Sequence, residues 1–225
     1  MKKFLQVLSI LASAVVIISC KTTAQVAQNE QAVTVVKPIN WQGAELGLQI
    51  PEWVLYVASQ DYEALNNLPE AKEKRLLPIT GSGADKDLLK IWLDTQDASS
   101  KLSEELQQTV TSEASSRVSG NTSTEAGEAS LRMAKKVTGV VSQTSFSGFS
   151  RLKTFWTQVQ RPSDGKLEYN MYALYGIDKQ ILLKQVDSML KQVKAESPEE
   201  EEALEDMERL VRASAAKVGV VVGRN

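Results

Sequence analysis

From Leu88 to Val110 the apolar residues Leu88, Leu89, Trp92, Ala98, Leu102, Leu106 and Val110 recur mainly every three or four positions. That period lays them along one stripe of an α-helix, and Asp85 ahead of them can accept from the free N–H groups of a first turn. The pattern predicts one long helix from Lys86 to about Val118. A polar, glycine-punctuated stretch, SGNTSTEAGE, then reads as a loop, and Ala129 to Val141 as a second helix. Two further helical stripes close the chain. Asp178 caps one bearing Leu182, Val186, Met189 and Val193. Ser197-Pro198-Glu199-Glu200 is a capping box with proline at the first helical position, opening a helix on Leu204, Met207, Val211 and Ala215. Two heptad-like stripes in tandem imply a helical hairpin or a seam for a partner.

Strand patterning lies between these helices. Phe149–Gln160 and Leu167–Ile177 flank RPSDGK, whose proline and Asp-Gly pair give the turn chemistry of a hairpin. In the second strand Leu167, Tyr169, Met171, Ala173 and Tyr175 alternate onto one face. Arg75–Thr80 reads as a strand in which Pro78 demands an edge or a bulge, and Gly81-Ser82-Gly83 as the turn that breaks it. Val33–Val36 is a short strand or extended arm stopped by Pro38, and Pro51-Glu52-Trp53 opens a short helix that buries its indole. The fold class expected is α+β, helices packed on a small antiparallel sheet with a C-terminal helical extension.

The N-terminus follows a different pattern. Lys2 and Lys3 precede Phe4–Ile18, an uncharged and mostly apolar run with the form of a secretory leader. At about 1.5 Å per residue the run covers only two-thirds to three-quarters of a ~30 Å hydrocarbon core, which disfavours a permanent span. Cleavage is expected instead. Ile17-Ile18-Ser19-Cys20 places a branched aliphatic at −3, a small residue at −1 and the chain's only cysteine at +1, the pattern of a bacterial lipobox. A thiol suits this position because sulfur can hold diacylglycerol as a thioether, and the freed amine can take a further acyl chain such as palmitate. Two or three chains on Cys20, each buried methylene worth ~0.8 kcal/mol, make a stable anchor. Lys21 in place of an aspartate points to the outer membrane. The expected organisation is a signal peptide over 1–19, a lipidated tether over 20–40, an α+β domain over 41–195 and an amphipathic C-terminal helix over 196–225.

Composition then narrows the chemistry. Lys and Arg total 26 against 28 Asp and Glu, so no basic face built for phosphates is expected, and no nucleic-acid partner. With no histidine and one cysteine, His-based triads, imidazole ligands, thiol pairs and Cys zinc sites are excluded. Gly81-Ser82-Gly83 lacks the rest of a phosphate loop and is followed by Asp85 and Asp87, so a tight turn is the stronger reading. The acidic run Glu199–Glu202 complements a helix N-terminus and reads as a solvated face before it reads as a cation site. Asn121-Thr122-Ser123 reads as loop chemistry before a glycosylation sequon, and Ser100-Lys101 is too common a pair to mark a catalytic dyad. Trp92, Trp156, Tyr169, Tyr172 and Tyr175 fit a core better than a binding platform. No catalytic residue, metal ligand or cofactor is assigned.

The lipobox, Pro51-Glu52-Trp53, Gly81-Ser82-Gly83-Ala84 before a long helix, and Trp156 leading through Asp164-Gly165 to YNMYALYGID occur in an order that resembles the bacterial LPP-twenty lipoproteins, over roughly Pro51 to Lys194. The resemblance implies helices on an antiparallel sheet, similar to the amino-terminal domain of flagellar assembly protein T, in an envelope lipoprotein without established enzyme activity or cofactor. Two features depart from that family. The long helix is richer in Ser, Gln and Glu, and the Ser197–Val218 helix runs beyond the usual end. The function expected is a non-enzymatic envelope lipoprotein, anchored to the membrane through Cys20, acting as a structural or protein-interaction module with a protein partner or a second copy. The alternative is a ligand-binding lipoprotein with its pocket between the long helix and the Trp156–Tyr175 hairpin.

Overall fold

A computed structural model describes residues 36–119 and 125–218. The leader, Cys20, Val33–Val35 and the Asn121-Thr122-Ser123 sequon lie outside the described residues. Four strands, β1 (Asn40–Trp41), β2 (Lys74–Gly83), β3 (Ser150–Gln160) and β4 (Leu167–Asp178), form one antiparallel sheet in the order β1-β3-β4-β2. Among the described residues seven α-helices accompany it: α1 (Glu52–Ala58), α2 (Tyr62–Asn66), α3 (Lys86–Asp94), α4 (Ala98–Ser119), α5 (Glu125–Gln143), α6 (Lys179–Leu190) and α7 (Pro198–Ala216). The class is α+β, with a helix at the C-terminal end.

The β3–β4 hairpin closes where its sequence places the turn. Gly165 takes a left-handed φ of 69°, and the Asp164 carboxylate accepts from Arg161 Nε at 2.9 Å and from the Lys166 N–H at 3.2 Å. β4 lies inside the sheet, and its alternation serves two cores. Met171, Ala173 and Tyr175 pack under α3 with Leu77, Ile79, Leu89 and Leu93, whereas Tyr172 and Leu174 pack with Trp53, Val54 and Leu65 on the opposite side. Trp53 is buried as the Pro51 entry predicts. β2 is a terminal strand, and Pro78, which has no N–H for a ladder, sits in it.

Three expectations are corrected. The long helix is two. Thr95 Oγ1 donates to the Trp92 carbonyl at 2.6 Å and ends α3, and the Asp97 carboxylate accepts from the N–H groups of Ser99 and Ser100 at 3.0 and 3.2 Å to start α4. The apolar period continues across the break while its target changes: Leu89 and Leu93 face the sheet, Leu102, Leu106 and Val110 face the other helices. Leu88, assigned to the buried stripe, is 64% exposed as a result. Secondly, Gly81-Ser82-Gly83 does not end the strand but belongs to β2. Gly81 serves a close approach, because a Cβ there would overlap the Trp92 ring. Thirdly, Val36 lies outside any strand.

The remaining helices form a layer of their own. α4, α5, α6 and α7 enclose a core that includes Leu106, Met133, Val137, Val186, Met207 and Val211. α7 turns Ala203, Met207, Val211 and Ala215 into this core, so its stripe is covered within the chain. Ser197 caps α7 through the Glu200 N–H at 3.3 Å, as the capping box predicts. Among the described residues no helix is long and apolar enough to cross a membrane.

Candidate functional site

α3 is a short helix with few buried side chains. Its nine residues begin on Asp85, whose carboxylate accepts from the N–H groups of Asp87 and Leu88 at 2.8 and 3.0 Å, and only Leu89 and Leu93 are buried. Two buried side chains one turn apart fix it to the sheet along a single line. A groove remains between α3 and β3. It has a volume of about 460 Å³ and is lined by Gln42, Lys86, Asp87, Lys90, Leu93, Asp94, Arg151, Thr154, Trp156 and Met171.

Charge in the groove is unevenly matched. Arg151 Nη1 donates to Asp94 at 2.6 Å, Nε to the Tyr175 hydroxyl at 2.9 Å and Nη2 to the Leu93 carbonyl at 3.4 Å. The Asp94 hydrogen bond raises the Arg151 pKa above its ordinary value, against the pull of partial burial. Lys86 meets a ring instead: its Nζ rests 4.8 Å from the centre of the Trp156 ring, a cation–π contact. Trp156 is held edge-on by Tyr169, with ring centres 5.8 Å apart. Lys90 lies one turn beyond Lys86 and is exposed.

Outside the groove lining, Leu88 and Ile91 on α3 are 64% and 62% exposed, and the loop between β1 and α1 carries Leu46, 75% exposed, and Leu48. This loop is built to hold its shape. Gly43 and Gly47 adopt left-handed φ values of 80° and 70°, and Trp41 Nε1 donates to the Leu48 carbonyl at 2.7 Å. Gln42 lines the groove, and its N–H donates to the Trp156 carbonyl at 3.1 Å.

Other candidates resolve into structure. Asp85 occupies the first N–H groups of α3, and Ser82 donates to Asn170 Oδ1 at 2.7 Å, so Gly81-Ser82-Gly83 cradles no anion. Ser100 Oγ donates to Asp97 at 2.6 Å within the α4 cap while Lys101 pairs with Glu104 at 2.9 Å, which divides the Ser–Lys pair. The aromatics do not form one platform, because Tyr172 faces the opposite side of the sheet from Trp156. Among the described residues no three His, Cys, Asp or Glu side chains converge as a metal site.

The acidic run contains a correction. Glu200 is not on a solvated face but buried between helices, accepting from Arg132 Nε at 2.7 Å, Lys136 Nζ at 3.0 Å and the Glu196 N–H at 3.1 Å. These donors, Arg132 first, hold its pKa down to about 2. A second buried ion pair went unforeseen. Arg75 is only 1% exposed; its Nη2 meets the Glu105 carboxylate, Nη1 the Leu76 carbonyl and Nε the Ser214 carbonyl at 3.4 Å. Burial lowers the Arg75 pKa and the Glu105 charge opposes that shift. The only trace in the sequence is a charge beside each apolar run, Arg75 before Leu76 and Glu105 before Leu106.

Comparison with family models, with curated proteins and with solved structures finds no match to this chain, so the resemblance to the LPP-twenty lipoproteins rests on the order of its motifs.

Proposed function

We propose that the protein is a non-enzymatic lipoprotein of the bacterial envelope, held to the outer membrane by acyl chains on Cys20. Its α+β domain acts as a structural and interaction module through the groove beside α3. The observation that carries this reading is the uncovered apolar pair Leu88 and Ile91, one turn apart on α3 and 64% and 62% exposed. Exposed apolar side chains grouped at one place mark contact surfaces rather than catalytic centres. Replacing Cys20 with Ala tests the anchor. The protein is expected to leave the membrane fraction and lose acyl labelling; retention with unchanged labelling would overturn this part. A photo-reactive residue at Lys90 is expected to cross-link to an envelope component, and one at Glu201 on α7 is not.

A second reading is a small-ligand site in the same groove, favoured by its volume of about 460 Å³ and its Trp156 wall. Saturable quenching of indole fluorescence by an envelope extract of small molecules, lost in Trp156→Leu, would favour it over the first.

A further inference from the structure

On the side of the sheet away from α3, the register aligns Thr80, Tyr172 and Phe155 in one row across β2, β4 and β3, and Ser82, Asn170 and Thr157 in the next. Helix α1 stops at Ala58, and Gln60 takes a left-handed φ of 58° as the chain turns off toward α2. Past that end lies a trough of about 330 Å³, walled by Ala58 and Gln60 and floored by Ser82, Asn170 and Val159. Its β3 side is covered, with Thr157 and Val159 only 1% and 6% exposed, while Thr80 and Ser82 on β2 stand open. Val36 lines the same trough. It arrives from the β3 side, because Ile39 N–H donates to the Gln158 carbonyl at 2.8 Å and β1 pairs with β3. We propose that Val33-Thr34-Val35 continues from Val36 across this trough, from β3 over β4 to β2, as a strap on the sheet.

Size and chemistry match this occupant. From β3 to β2 is two inter-strand spacings, about 10 Å, which is the length of three extended residues. All three residues are β-branched, a type that favours extended backbone, and the valines meet apolar walls at Ala58 and Val159. A strap that crosses strands cannot join their ladder, so its N–H and C=O groups need side-chain partners. The trough offers them. The Gln60 amide and the Thr80 hydroxyl have no partner among the described residues, and Asn170, whose Oδ1 accepts from Ser82 at 2.7 Å, keeps its Nδ2. Val35 is one peptide bond from a residue already at the site, so the docking is intramolecular and a contact too small to hold a free peptide is enough. The chain then leaves the domain beside β2 instead of β3. With Cys20 as the anchor, a reading on which this consequence alone rests, the free tether shortens to residues 21–32 and a reach of at most about 45 Å.

Amide hydrogen exchange of the purified full chain in mild detergent tests the strap. The amides of residues 33–35 are expected to exchange about tenfold or more slowly than those of residues 22–30. Thr80→Arg puts a long side chain into the trough from an exposed position. It is expected to bring residues 33–35 to the rate of 22–30 while the bonded amides of Ile39 and Gln42 keep their protection, which shows that β1 and β3 remain paired. Equal rates at 33–35 and 22–30 in the parent chain would overturn the strap. Protection that survives Thr80→Arg would also overturn it, since the segment is then shielded elsewhere or by the micelle. Protection that falls on dilution would give the trough to the arm of a second copy, against the proposal. These amides report the strap whether or not Cys20 carries lipid, so a failure of the anchor reading leaves this result to be read by itself.

Discussion

The α4–α7 layer and the α3 face use the same materials in opposite order. In the helical layer the apolar stripes of all four helices turn inward, and charges that enter the interior are matched: Glu200 receives Arg132 and Lys136, and Glu105 receives Arg75. On α3 two leucines turn inward, while Leu88 and Ile91 turn outward and stay uncovered. The first arrangement spends its apolar surface on folding. The second leaves part of it uncovered, and a helix of nine residues that gains little by this is held mainly by Asp85, Leu89 and Leu93. Amphipathic period alone does not separate the two cases, because both faces of α3 carry apolar residues at helical spacing.

Substitutions sharpen that contrast. The largest effect is expected for Arg75→Met, which leaves the Glu105 carboxylate buried beside an apolar side chain; breaking such a pair costs about 3–5 kcal/mol, read as a lower urea midpoint. The double variant Arg75→Met/Glu105→Leu should recover much of the loss. Leu106→Ala empties a fully buried site in the helical layer and is expected to cost about 2–5 kcal/mol in the same measurement. Gly81→Ala drives a Cβ into the Trp92 ring at the flank of α3, at an expected cost of about 1–3 kcal/mol, relieved when Trp92 is shortened to Leu.

Acid provides a further test. The Glu200 carboxyl is depressed in the folded state, from 4.5 to about 2, so its contribution is fully present above the ordinary carboxylate value and is lost as pH falls toward 2. Glu200→Gln should therefore be less stable than the parent at neutral pH, and the difference should shrink as pH falls through that window. Smallest of all, Leu88→Ser and Ile91→Ser are expected to shift stability by no more than about 0.5 kcal/mol, since neither side chain is covered. A loss like that of Leu106→Ala would show that the α3 face is core after all and would end its distinction from the helical layer.

Much of this fold was legible along the chain because its signals are local. Asp164-Gly165 set the hairpin, Ser197 with Glu200 set the start of α7, and Pro78 required an edge or a bulge and stands in an edge strand, each through backbone geometry within a few residues. The break between α3 and α4 was also written locally, in Thr95 and Asp97, but the apolar period runs across it and masks it. The buried ion pairs were not legible. Arg75 and Glu105 are thirty positions apart and Lys136 and Glu200 sixty-four, and neither residue of either pair differs in type from a surface charge.

The sequence by itself determined the class of fold, the β3–β4 hairpin, the starts of α3, α6 and α7, and the exclusion of histidine and thiol-pair chemistry. These follow from composition and from spacings shorter than two helical turns. Which apolar residues are core was decided only by tertiary structure. Leu88 and Leu89 are neighbours of one type in one helix; the sheet beneath α3 covers Leu89 and leaves Leu88 outside. The groove and the lysines that line it exist because β3, Gln42 after β1 and α3 meet there, a juxtaposition of segments more than forty residues apart.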